Sequence, residues 1–266
     1  MCGFVGSASQ SPSSRTDWII KASELLSHRG PDDSGLWQDD SSHVLFAHRR
    51  LSILDLSELG HQPMHIPGRG LTIVFNGEIY NHCDLRKQLQ SLGHQFRSQT
   101  DTEVLLAAYA EWGFNCLQRL NGMFSFALYD EPSGKLFLAR DRAGEKPLFY
   151  RFHRGTLYFA SELKALLAHP DLPREINHRA LDCFLAMGYV PGELCILEGY
   201  NKLPPAHALS FDFTCNYPKV WRYWDIPQCE VNSSDFNEVE LLDELESLLD
   251  NSVKRQLVAD VPVGIL

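Results

Sequence analysis

The chain breaks into short β-branched and aromatic runs that are joined in pairs by tight turns, and this pairing limits the fold more than any other feature. MFSFALYD (123–130), a Pro-Ser-Gly turn and KLFLARD (135–141) predict one hairpin. PLFYRF (147–152) and TLYFASE (156–162) predict a second around Arg154-Gly155. Further strands are expected at 3–9, within 44–56, and from residue 71 into a sharp Asn76-Gly77 turn. Helical patterning covers 17–28, 81–93, 162–169 and 178–188. In 81–93, Leu85, Leu89 and Leu92 share a face and Gly93 closes the helix. Thr100-Asp101-Thr102-Glu103 has capping-box spacing and opens a helix through Trp112. Strands and helices come in separate groups, which makes the fold α+β rather than an alternating βαβ chain. Strands apolar on both faces need cover on both, and two stacked antiparallel sheets between helical layers supply it.

An apolar fraction of 44% and a charged fraction of 22% over 266 residues are globular values, and a chain of this length buries a core without disulfides. The net charge of −10 argues against a nucleic-acid partner. No apolar run spans a bilayer and no signal peptide is evident, so the chain reads as cytoplasmic. The 7 cysteines include no C-x-x-C pair, which argues for free thiols and against zinc-ribbon or thioredoxin sites. His61 and His65 have helical spacing, but Pro63 breaks such a helix, so both read as loop residues and no metal site is expected. A homodimer is left open.

Composition shifts after residue 212. Residues 1–212 read as one domain and 213–237, rich in aromatics, Pro, Asn and Ser, as a linker that packs on something. There Trp221, Tyr223 and Trp224 suit either an interface between two halves or ordinary core. Residues 238–259 form a strongly amphipathic helix with apolar residues at 241, 242, 245, 248, 249 and 253. DVPVGIL (260–266) starts a strand. The stretch 238–266 therefore reads as the truncated start of a second domain, the alternative being an edge strand that ends there.

Cys2 is the sharpest chemical feature. Loss of Met1 would leave a thiol nucleophile and a free α-amine on one residue, with ordinary pKa values of about 8.5 and about 7.7–8.0. On position alone, a chance cysteine explains it equally well. Asn76-Gly77 alone suits an ordinary hairpin turn, and Asp101 alone suits a favourable charge in the first turn of a helix.

Taken together, Met1-Cys2-Gly3, His28-Arg29-Gly30-Pro31-Asp32, Ala47-His48-Arg49-Arg50-Leu51-Ser52-Ile53, Asn76-Gly77-Glu78-Ile79-Tyr80-Asn81, Gly122-Met123-Phe124, Arg140-Asp141-Arg142 with Lys146-Pro147-Leu148, Ala160-Ser161-Glu162 and Leu203-Pro204-Pro205 resemble the class II, N-terminal-nucleophile glutamine amidotransferases. The resemblance is strongest to the glutaminase half of asparagine synthetases. It implies a four-layer αββα sandwich followed by the start of an α/β ATP-pyrophosphatase domain. It implies that Cys2 attacks the side-chain amide of glutamine, forms a thioester and releases ammonia, with an oxyanion hole from the Asn76 side chain and the Gly77 N–H. Arg50 would bind the substrate carboxylate, Asp101 with Glu78 the ammonium, and Leu51, Ser52, Ile53 and Leu54 would line the pocket with backbone groups. Arg49 is the decoy, expected to be solvated or paired with a surface acid. Ammonia would pass to a synthetase domain or chain that uses ATP and Mg²⁺ to make asparagine from aspartate. The Ser-Gly-Gly-x-Asp-Ser loop of that domain is not in this sequence, so no cofactor is expected on these residues. Sugar or peptide-carboxylate amidation, and a non-catalytic glutamine-sensing module, are the alternatives.

Overall fold

The computed structural model describes residues 1–12, 16–41, 43–66, 68–215, 217–228, 237–262 and 264. Its strands are β1 (Gly3–Ser9), β2 (Asp33–Gln38), β3 (Val44–Arg50), β4 (Met64–Ile66), β5 (Leu71–Ile79), β6 (Gly122–Asp130), β7 (Lys135–Arg140), β8 (Phe149–His153), β9 (Thr156–Ala160), β10 (Asn201–Lys202), β11 (His207–Asp212) and β12 (Lys219–Arg222). They form two six-stranded sheets, ordered β10-β8-β9-β1-β3-β2 and β12-β11-β7-β6-β5-β4, and every pairing is antiparallel. The helices are α1 (Asp17–Glu24), α2 (His82–Ser91), α3 (Asp101–Trp112), α4 (Leu163–Leu166), α5 (His178–Met187) and α6 (Glu238–Gln256). Among the described residues no helix is long and apolar enough to cross a membrane.

Three apolar layers hold these elements as helix, sheet, sheet, helix. Val5, Leu45 and Ala47 pack on Trp18 and Ile19 of α1 and on Ala165 and Leu166 of α4. Phe4, Phe46 and Phe159 meet Val74, Ala127 and Leu138 between the two sheets. Ile73, Phe75, Phe126 and Phe137 meet Leu85, Leu89 and Val104 of α2 and α3. In β1, β3 and β5 the even-numbered residues thus face the other sheet and the odd-numbered ones face helices, as the two-residue period of a strand requires. The expected αββα sandwich is the observed one.

Several local expectations change. The Asn76-Gly77 turn does not form, because β5 runs straight through both residues and pairs Asn76 with Ser125 and Gly77 with Phe124. A Cβ on Gly77 would lie 2.1 Å from Met123 O and 2.7 Å from Phe124 Cα, so the glycine serves close approach of two backbones rather than a turn. The capping box forms by half. Thr100 accepts from Glu103 N–H, but the Glu103 carboxylate reaches further back, to the N–H groups of Arg97 and Ser98. Leu92 is exposed while Leu85 and Leu89 are buried. His65 lies in β4 rather than a loop.

The segment read as linker adds β12 to the sheet edge. Trp221 stacks 5.9 Å from Phe137, the Tyr223 hydroxyl donates to Arg140 O at 2.8 Å, and Trp224 faces the Arg142 guanidinium. Of residues 260–266, Asp260 to Pro262 make a bend and no strand, while 263, 265 and 266 lie outside the described residues. Six of the cysteines are free thiols, and Cys229 lies outside the described residues.

α6 buries none of its residues, and Leu242, Leu245 and Leu249 stand 57%, 52% and 58% exposed. The contrast with the core is measurable by chemical denaturation. Phe126→Ala should cost about 3–5 kcal/mol, while Leu245→Ala should stay within about 0.5 kcal/mol. An equal loss would mean that α6 packs on the body.

Candidate active site

The alternation that builds the core also assembles the site. Cys2 at the head of β1, Arg50 at the end of β3 and Asn76 and Glu78 near the end of β5 all carry even numbers, so they share the inner faces of the sandwich where its strands run out. They line one cleft with Met1, Leu51, Ile53, Leu54, Gln62, Gly77, Thr102, Asp101, Met123 and Lys146. Ser52 alone of the expected residues falls outside the lining, its N–H bound to Asp32 Oδ2 at 2.8 Å. Arg49 points outward and donates to Ser23 O and Oγ under α1, so it meets a helix end instead of a surface acid.

The half-buried Cys2 thiol lies 3.6 Å from Leu51 O and accepts from Leu51 N–H at 3.4 Å. Burial raises its pKa; the Leu51 contact and the nearby terminal ammonium work the other way. The thiol is therefore protonated at neutral pH and needs a base. Burial, aided by Arg29 and Lys146, lowers the pKa of the terminal amine beside it. Arg29 fixes this strand start, donating from Nε to Cys2 O at 2.8 Å and from Nη1 to Glu162 at 2.9 Å.

Arg50 is buried. Its guanidinium donates to the carbonyls of Leu54, Asp55 and Ser57 and thereby ties the 51–57 loop around itself. A Cβ on Gly60 would sit 1.9 Å from Nη2, so only glycine lets the guanidinium lie there. Asp101 opens α3 and is 5% exposed, and its Oδ2 accepts from Ile79 N–H at 2.9 Å. Burial pushes its pKa up to about 6 against that hydrogen bond. Burial, then repulsion from Asp101, raises Glu78 as well. Two carboxylates held above their ordinary range beside an open cleft favour a cationic guest.

Asn76 is completely buried, yet neither Oδ1 nor Nδ2 has a hydrogen-bond partner within the protein. Such a group costs about 1–3 kcal/mol unless a ligand satisfies it.

Lys146 closes one wall, with Nζ 3.2 Å from Met1 Sδ. Its loop is held by the buried Asp141, whose carboxylate accepts from the N–H groups of Phe124, Glu145 and Lys146, and by Arg140, which donates to Lys146 O and Leu203 O. Lys146 lay within a motif already noticed and was not read as a site residue. Gln62 gave no signal beyond its place before Pro63.

A family model described as "Glutamine amidotransferase domain" matches residues 1–224. The chain belongs to the glutamine amidotransferase domain family. The chain is 43% identical over 247 residues to asparagine synthetase [glutamine-hydrolyzing] 3 of Bacillus subtilis, covering 91% of this chain and 39% of that protein. It is 33% identical over 282 residues to putative asparagine synthetase [glutamine-hydrolyzing] 2 of Methanocaldococcus jannaschii, covering 99% and 54%. The chain thus spans about two fifths to a half of the length of these relatives. The structure of glutamine phosphoribosylpyrophosphate amidotransferase from B. subtilis superposes with a TM-score of 0.60 at 19% identity, over 84% of this chain and 49% of that one, a likeness of fold.

Proposed function

We propose that this chain hydrolyses glutamine to glutamate and ammonia through a thioester on Cys2, and that in a longer protein or a complex the ammonia serves the ATP-dependent synthesis of asparagine from aspartate. The observation that carries the reading is the unpartnered Asn76 amide, fully buried and facing the same cleft as a thiol, a caged guanidinium and two carboxylates of raised pKa.

Loss of Met1 puts the α-amine on Cys2, where the burial and the cations that depress the Met1 ammonium favour a neutral base. That amine takes the thiol proton as sulfur adds to the γ-carbonyl carbon of glutamine. The developing O⁻ accepts from Asn76 Nδ2–H and Gly77 N–H. Collapse breaks the C–N bond, the amine returns its proton to the leaving nitrogen, and ammonia departs. Water then adds to the thioester by the same route and releases glutamate. Arg50 pairs with the α-carboxylate through the donors that its loop carbonyls leave free, while Asp101 and Glu78 hold the α-ammonium.

In this reading ATP and magnesium bind in the synthetase part of the longer protein or complex. A domain division near 1–212, 213–237 and 238–266 accompanies this reading, with β12 belonging to the first part by its pairing. A net charge of −10 disfavours a nucleic-acid partner, and a cytoplasmic location is part of the same proposal. Homodimer formation is decided by solution mass.

The reading is tested by intact mass and Cys2→Ala. Active protein should lack Met1, and the variant should lose glutamine hydrolysis while keeping glutamine binding. Full activity with Met1 in place would sink the mechanism. Asn76→Ala should lower kcat about 10²–10³-fold with little change in KM, as loss of an oxyanion donor does. Arg50→Lys should mainly raise KM, because it loses both the fork and the anchor of the 51–57 loop. The reverse partition would exchange their roles. For pH, an Asp101 that titrates at about 6 in the free protein is a carboxylate above that value and neutral below it. KM for glutamine should therefore rise as pH falls through about 6, and Asp101→Asn should hold KM high and flatten that dependence. An unchanged profile in the variant would assign the ammonium to another group.

A further inference from the structure

β5 has one edge without a strand neighbour over its last residues. β4 covers it only as far as Ile73, which pairs with Met64. On the other side, Phe124 spends its N–H on Asp141 Oδ2 and its carbonyl on Asp141 N–H, so it exchanges no bond with Gly77, its partner across the ladder. By the alternation of antiparallel ladders, the N–H groups of Phe75, Gly77 and Ile79 all point to the uncovered edge.

The two outer groups are capped by side chains. Phe75 N–H donates to Gln62 Oε1 at 2.7 Å and Ile79 N–H to Asp101 Oδ2 at 2.9 Å. The Phe75 carbonyl is also held by a side chain, accepting from His48 Nε2 of the opposite sheet at 2.9 Å. His48 is neutral, since burial lowers its pKa to about 4. Gln62 is 4% exposed and its amide is oriented at the far end, Nε2 donating to Thr102 Oγ1 at 3.3 Å. Both backbone groups of the residue before Asn76 are thus fixed by side chains from other elements, and the Gly77 N–H is left facing the cleft between two capped neighbours.

We infer that Gln62, together with His48, is a positioning residue: by clamping Phe75 it aims the Asn76 amide and the Gly77 N–H at the point where the oxyanion forms. The inference rests on the proposed glutaminase reading. Gln62 needs no contact with substrate for this, because its oxygen and one N–H are committed to the protein.

Gln62→Met keeps length and volume and removes the acceptor. It should lower kcat about 10–100-fold and leave KM within about twofold. The discriminating probe is an aldehyde analogue of glutamine. The Cys2 sulfur bonds to its carbonyl carbon and the thiol proton ends on its oxygen, giving a thiohemiacetal whose oxygen occupies the oxyanion position. Inhibition by the aldehyde should weaken by the same factor as kcat, while inhibition by glutamate should not change. Thr102→Val, which frees the Gln62 amide without altering shape, should shift both readouts in the same direction by less. It carries the test if thermal unfolding shows that Gln62→Met does not fold. Equal weakening of aldehyde and glutamate would make Gln62 a substrate contact and overturn the inference, as would an unchanged kcat. A wild-type protein that neither hydrolyses glutamine nor binds the aldehyde would instead overturn the reading of the site.

Discussion

At the end of β5 the strand loses a neighbour on one side before it loses residues. β6 pairs along its whole length to Ile79, while β4 stops opposite Ile73. The remaining edge must satisfy its N–H groups some other way, because buried backbone donors without partners are costly. Two side chains, Gln62 and Asp101, take over part of that task, and the part they leave undone opens into the cleft. The site is therefore a property of how this sheet ends. The thiol, the guanidinium and the carboxylates are arranged around that ending by the stacking of the two sheets.

The same stacking explains how neighbouring residues of one sequence run take unrelated parts. Arg49 and Arg50 differ by one step along β3, so one side chain goes under α1 and the other into the sandwich interior. Cys2 likewise shares its face with Phe4. An element of core packing, the inward phenylalanine two positions on, thus specifies which way the nucleophile points.

Much of this was legible in the residues. The hairpins were readable because turn chemistry is local; Arg154 and Gly155 adopt the left-handed φ values of 49° and 75° that such a turn needs. The choice of Arg50 over Arg49 came with the family resemblance, and its geometric reason, Phe46, His48 and Arg50 sharing one face of a strand buried on both, belongs to the structure. Asn76-Gly77 was misread as a turn because the dipeptide's local preference was weighed without β6, whose backbone approaches too closely for any Cβ. β12 was missed because an edge strand of four residues is set by the neighbour it finds and carries little pattern of its own. Gln62 was invisible for a similar reason. Its role depends on where β4 begins, which depends on pairing across 13 residues of chain.

The unpartnered Asn76 amide also bears on how this fold tolerates change. With neither guest nor water against it, the Asn76 amide is an unsatisfied polar group in the interior at a cost of about 1–3 kcal/mol, and an apolar residue of similar size there would relieve it. Selection or screening for thermal resistance alone would thus drift toward Leu or Met at position 76 and yield a sturdier protein with an empty cleft. Asparagine at that buried position makes this a fold kept ready for a guest at the expense of its own stability.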